Sequence, residues 1–191
     1  MNTTTDNNTT MQAADGRFTT NGTPHGFTTL TPFLVVPNAA AAIDFYVTVF
    51  GARVISRIDA PGNETAGSYS GAVAHAELDF GSGRLQLGDP NPQYGLVADA
   101  RPDGTEEDAV SHSMALYCSD VDAVVQRAVA AGATVREPVT DFVSGDRFCS
   151  LLDPFGQRWS VMTRTADISE KESARRVDEW AKAGFPAMDE G

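Results

Sequence analysis

The sequence predicts an α+β fold: two paired βαβββ modules forming a cupped mixed sheet, with a C-terminal helix. Three observations carry this. The order strand, helix, strand, strand, strand occurs twice, glycines at the helix ends coincide when the halves are superposed, and a stretch of linker composition separates them. A chain of 191 residues, 41% of them apolar, is long enough for one such doubled core.

Residues 1–26 are rich in Thr and Asn and lack apolar periodicity, the composition of a disordered tail. The first module is placed at 27–89. Leu30 to Val36 is a β-rich run, and Asn38 caps a helix presenting Ile43, Tyr46, Val47 and Phe50 on one face. Gly51 stops the helix before the strand Ala52 to Ile58. Ala72 to Phe80 and Arg84 to Leu87 form the closing hairpin, and the Gly- and Ser-containing loop between Ala60 and Ser70 is a candidate lid.

Residues 90–111, with Pro102-Asp103-Gly104 and the acidic Glu106-Glu107-Asp108, read as a linker. The second module is placed at 112–165. Ser113 to Cys118 is its first strand, Ser119 or Asp120 its cap, and Val121, Val124, Val125 and Ala128 its apolar stripe. Gly132 is the stop before Ala133 to Glu137. In the last hairpin, Leu152, Arg158, Trp159 and Val161 align without a gap on Leu78, Arg84, Leu85 and Leu87. Residues 166–191 hold a helix opened by the capping box Ser169-x-x-Glu172 and stopped by Gly184, with Trp180 as packing anchor.

One helix per module covers one face of each sheet and leaves the other to line a hollow. Alternation puts Leu85, Leu87, Trp159 and Val161 on the helix side. It puts His75, Glu77, Gln86 and Ser160 on the hollow side, together with Arg147 as an anion partner or as an arginine paired with its neighbour Asp146. Phe33, Val35 and Tyr117 supply apolar wall or plain core. Arg84 and Asp79, next to turns, read as solvated. Such a concave surface of mixed polarity is the chemistry of a small-molecule pocket.

Thr31-Pro32-Phe33-Leu34-Val35-Val36, Phe50-Gly51-Ala52, His75-Ala76-Glu77-Leu78, Asp120-Val121-Asp122-Ala123-Val124, Gly145-Asp146-Arg147 and Asp153-Pro154-Phe155-Gly156 occur in that order. The chain thereby resembles the glyoxalase, bleomycin-resistance and extradiol-dioxygenase superfamily of vicinal oxygen chelate proteins, in particular its PhnB-like branch. The likeness runs from about Thr28 to Ala183. It implies a homodimer. It also implies four metal-ligand positions, which fall here on Thr31, Gln86, Ser113 and Ser160, with His112 beside Ser113. A catalytic divalent metal normally needs three protein ligands drawn from imidazole, thiolate and carboxylate, and this set of hydroxyls and one amide, even with His112, falls short of that. No metal and no cofactor are therefore expected.

The reading that follows is a protein binding a small organic molecule in the cup without metal, with ligand contacts at Phe33, Val35, His75, Glu77, Gln86, Tyr117, Arg147 and Ser160. The alternative is an enzyme, a lyase, isomerase or dioxygenase, with displaced ligands or with His75 and Glu77 as an acid/base pair. Their side chains, two residues apart on one strand, sit about 7 Å apart. A partner-binding module acting through the acidic surface and the tail is a third reading.

The formal net charge of −12 disfavours nucleic acid and anionic membranes as partners. No apolar run is long enough to span a bilayer, and the N-terminus has no signal-peptide pattern, so a cytoplasmic protein is expected. Cys118 and Cys149 lack metal-ligand spacing and read as reduced, buried thiols. No phosphate loop, dinucleotide fingerprint or Ser-His-Asp order occurs.

Overall fold

The computed structural model describes residues 12–60, 71–98 and 110–186. The candidate lid at 61–70 and the acidic stretch of the linker lie outside the described residues.

The first ordered element falls where the sequence reading places a disordered tail. Strands β1 (Thr19–Thr20) and β2 (Thr23–Pro24) pair antiparallel across Asn21-Gly22. Both turn residues have positive φ, 47° and 80°, as a tight hairpin turn of this kind requires and as Asn-Gly adopts most readily. The expectation is thus corrected for residues 16–25: a two-residue turn signal outweighed the polar composition around it.

The first module follows as β3 (Phe33–Val35), α1 (Ala39–Phe50), β4 (Arg53–Asp59), β5 (Val73–Asp79) and β6 (Arg84–Gly88). The second repeats it as β7 (Met114–Tyr117), α2 (Val121–Ala130), β8 (Thr134–Phe142), β9 (Asp146–Leu152) and β10 (Arg158–Arg164). The strand orders are β3-β6-β5-β4 and β7-β10-β9-β8, with β3/β6 and β7/β10 parallel and the other pairs antiparallel. Helix α3 (Glu170–Lys182) closes the fold.

The caps are those the sequence announces. Asn38 Oδ1 accepts from the Ala41 N–H at 3.3 Å, and Asp120 Oδ1 accepts from the Ala123 N–H at 2.9 Å. Gly51, with φ of 72°, ends α1 in the left-handed conformation that favours glycine.

The two helices lie between the two sheets. Tyr46 and Phe50 of α1 pack on Trp159 of β10, with ring centroids 5.2 and 4.6 Å apart. Arg127 of α2 donates through Nε and Nη2 to the Val49 carbonyl, at 3.2 and 3.1 Å. Leu78, Leu85 and Leu87 from one sheet share a single buried cluster with Cys149, Leu151, Trp159 and Val161 from the other. Hence the helix-free faces do not enclose one hollow within a chain, as alternation alone suggested. They point outward on either side of the core. Burial of α1 from two sides also explains why its apolar stripe runs through Phe45 and Val49, while Val47 is exposed.

Asp153 ties the modules together. Its carboxylate accepts the Tyr46 hydroxyl at 2.8 Å, the Trp159 indole N–H at 2.9 Å, and the backbone N–H groups of Phe155 and Gln157, each at 2.9 Å. Burial pushes its pKa above the ordinary carboxylate value, and the four donors oppose that push.

The halves differ by one residue in their last turn. Asp79 pairs with Arg84 across residues 80–83, whereas Leu152 pairs with Arg158 across residues 153–157. Leu151, not Leu152, therefore stands where Leu78 does. The ungapped alignment fails within β9, and the parity of that strand is inverted. Arg147, Cys149 and Leu151 face the helices with Thr163, Val161 and Trp159.

Candidate functional site

The helix-free face of the first sheet gathers most of the expected site. Phe33 and Gln86 are register partners, as are Glu77 and Gln86. Glu77 accepts from Gln86 Nε2 on one carboxylate oxygen and from Arg84 on the other, both at 3.3 Å. The Phe33 and His75 rings lie 5.9 Å apart, tilted by 37°. Val35 shares this face, half-buried, and Ile58 of β4, the register partner of His75, adds an apolar side chain that is 59% exposed.

On the second sheet, Ser113 and Ser160 approach each other with hydroxyl oxygens 3.0 Å apart, and Tyr117 is 57% exposed. Arg158 donates to Ser150 Oγ at 2.9 Å and to Glu137 at 2.6 Å.

Two expected site residues sit elsewhere. Arg147 does not point into a hollow: on the inverted strand its guanidinium binds Asp122 of α2 at 2.8 and 2.9 Å and Asp141 at 3.1 Å. Those bonds lower the Asp122 pKa and raise that of Arg147. His112 does not join the Ser113–Ser160 pair: its Nε2 lies 2.7 Å from Oε1 of the buried Gln157.

The four positions carried over for a metal do not suit one. Ser113 and Ser160 bond to each other, Thr31 donates its hydroxyl to the Thr28 carbonyl at 3.2 Å, and the Gln86 amide donates to Glu77. Neutral hydroxyls already engaged in this way are poor ligands for a divalent transition metal. Among the described residues, no group of three or more His, Cys, Asp or Glu side chains is arranged to hold a metal ion. Cys149, buried, has its thiol pushed up to about 11, which keeps it protonated at neutral pH.

Sequence reasoning missed Arg84. Its place beside a turn reads as solvated, yet its side chain is only 16% exposed. The match of Arg84 with Arg158 in the internal repeat was the available signal. Both arginines reach back across the hairpin to a residue on the neighbouring strand, Glu77 or Ser150.

Doubled βαβββ modules with polar groups on their helix-free faces define a protein of the paired-module class. A model of the Glyoxalase/Bleomycin resistance protein/Dioxygenase superfamily matches residues 11–161, and the chain belongs to that superfamily. Protein Rv0887c of Mycobacterium tuberculosis is 36% identical over 143 residues, which span 75% of this chain and 78% of that protein. Among solved structures, TioX from Micromonospora sp. ML1 superposes with a TM-score of 0.52 at 26% identity, covering 72% of this chain and 98% of TioX. The PhnB protein from Bacillus cereus superposes with a TM-score of 0.51 at 18% identity, covering 71% and 99%, and shares the fold. No helix among the described residues is long and apolar enough to cross a membrane.

Proposed function

We propose that the protein binds a small organic molecule on the helix-free face built from Phe33, Val35, His75, Glu77 and Gln86, without a metal, and that it does so as a homodimer in the cytoplasm. One observation carries the reading: the superfamily fold is complete, while its ligand positions hold hydroxyls and an amide committed to one another or to near neighbours. The outward direction of the two faces supports the homodimer. In one chain the Gln86 face and the Ser160 face lie on either side of the helix layer, so a second copy is needed to bring a first-module face opposite a second-module face. The exposed Phe33, Ile58 and Tyr117 side chains on these faces support that apposition. The two free thiols support the compartment.

A thermal-shift screen against metabolites and antibiotics tests the binding. A ligand at about a hundred times its dissociation constant adds about 2.7 kcal/mol of stability. Hits are expected to weaken when Gln86 is replaced by Ala or Phe33 by Ala. Purified protein carrying near-stoichiometric Zn, Ni, Fe or Mn that is lost on His75→Ala or His112→Ala would overturn the metal-free reading.

A further inference from the structure

One cation on the helix-free face of the first sheet has an incomplete set of partners. Arg84 donates to Glu77 at 3.3 Å, but its Nε is buried and meets no acceptor among the described residues. The Phe27 ring lies against the guanidinium, 4.2 Å from its centroid. Beside it, Gly26 adopts φ of +90°, and a Cβ there would stand 2.5 Å from Arg84 Nη2. A side chain at 26 would be strained by this φ and would displace the end of Arg84.

The segment bearing Phe27 is shaped by bonds of its own. The His25 N–H donates to the Phe18 carbonyl at 2.9 Å, the Phe27 N–H to the Pro24 carbonyl at 3.1 Å, and the Thr20 hydroxyl lies 3.1 Å from His25 Nε2. It is a preformed hairpin whose ring lies under the Arg84 guanidinium, and such a cation–π contact is one that another ring can replace.

We propose that Arg84 binds a flat, neutral aromatic ligand bearing a carbonyl oxygen, that Phe27 occupies the place of the ligand ring in the free protein, and that the hairpin of residues 16–27 moves aside when the ligand enters. This rests on the reading of the same face as a small-molecule site. The ligand class follows from the chemistry present. The guanidinium lies over a π-system, and the unmet Nε–H donates to a carbonyl oxygen brought beside it, a charge-assisted bond worth more than a neutral one. Glu77 beside Arg84 and the net charge of −12 favour a neutral molecule over an anion. The neighbouring Phe33 and His75 rings extend the aromatic wall.

The test titrates the full chain with benzamide and with cyclohexanecarboxamide, its ring-saturated counterpart, followed by NMR. Four proteins are compared: wild type, F27A, F27L and F27L/R84Q. F27L keeps an apolar side chain at 27 and carries the test if F27A folds poorly. Removing the ring is expected to tighten benzamide binding by about tenfold, the penalty released when a competing closed form that dominates by about that ratio is lost. Benzamide should outbind the saturated amide by about fivefold through its ring. R84Q should abolish the gain, and saturating benzamide should remove the nuclear Overhauser contacts between the Phe27 ring and Arg84 in wild type. Equal affinity in wild type and F27L, a gain that survives R84Q, or persistence of those contacts at saturation overturns the proposal. Ligands from the thermal-shift screen that depend on Phe33 or Gln86 would in those cases leave the broader small-molecule reading standing. Silence in both experiments removes both.

Discussion

Replacing Tyr46 by Phe takes one of four donors from the buried Asp153 carboxylate and leaves the ring in place. The ring makes the larger share of the contact, packing against Phe45, Phe50, Phe155 and Trp159. Loss of the hydroxyl alone is expected to cost about 1.5–3 kcal/mol, the range for a hydrogen bond to a charged group, toward its lower end because the carboxylate keeps three other donors. Tyr46→Ala is expected to cost about 3–5 kcal/mol, because a cavity replaces the ring. Urea denaturation of both variants measures the difference, and a Tyr46→Phe protein as stable as wild type would show that the hydroxyl contributes nothing to holding Asp153. Arg147 shows how a single residue misleads at this scale. Its sequence neighbour Asp146 and its place before a strand suggested either a pocket anion partner or a local pair. The guanidinium instead joins β9 to α2 through Asp122, while Asp146 takes Arg164 at 2.7 Å.

Helix α3 is the element most open to a direct test, because nearly all its stabilising contacts are visible in the sequence. Ser169 Oγ accepts from the Glu172 N–H at 3.2 Å, and Glu172 pairs with Arg175 at 2.7 Å and Arg176 at 2.9 Å. Those arginines hold the Glu172 carboxyl down at about 2, against an ordinary value of 4.5. A carboxylate depressed in the folded state contributes stability that is complete above 4.5 and is lost as pH falls toward 2. Because the pair is solvent-exposed, the contribution is small and screened by salt. NMR titration is expected to place the Glu172 midpoint well below 4.5 at low salt and closer to it at high salt, and a midpoint at the ordinary value would show that the pairs do not persist in solution. Trp180, the expected anchor, meets Phe142 of β8 with centroids 5.2 Å apart.

Legibility varied with how local the determining physics is. Caps, stops and helix stripes rest on contacts within a few residues and could be read from Asn38, Gly51, Asp120 and Ser169. Strand parity rests on the length of a turn. The extra residue among 153–157 is invisible to an alignment that tracks hydrophobic character, because Leu151 and Leu152 are both leucine. Most of the first-sheet face was legible for a related reason: Glu77 and Gln86 lie in the hairpin whose register alternation gives directly. Phe27 was not, since its partner Arg84 is far away in sequence and the intervening chain gives no period to follow.

At the scale of the whole molecule, the helix layer makes two look-alike halves into one body. Tyr46 and Phe50 on α1 pack on Trp159 of the second module, and Arg127 on α2 bonds the Val49 carbonyl of the first, so neither half keeps a complete core without the other. Scanning calorimetry at fixed protein concentration is expected to give one transition with matching calorimetric and van't Hoff enthalpies. Two resolved transitions would show that the modules hold together independently.

The lengthened turn before β10 has a consequence for how such a doubled chain diverges. Once one copy gains a residue there, substitutions that suit β5 land on the opposite side when transferred to the same-looking place in β9. The two copies then answer to different surroundings, one strand supplying Glu77 to a polar face while its twin turns a thiol inward. A one-residue insertion is enough to release each half from the constraints of the other.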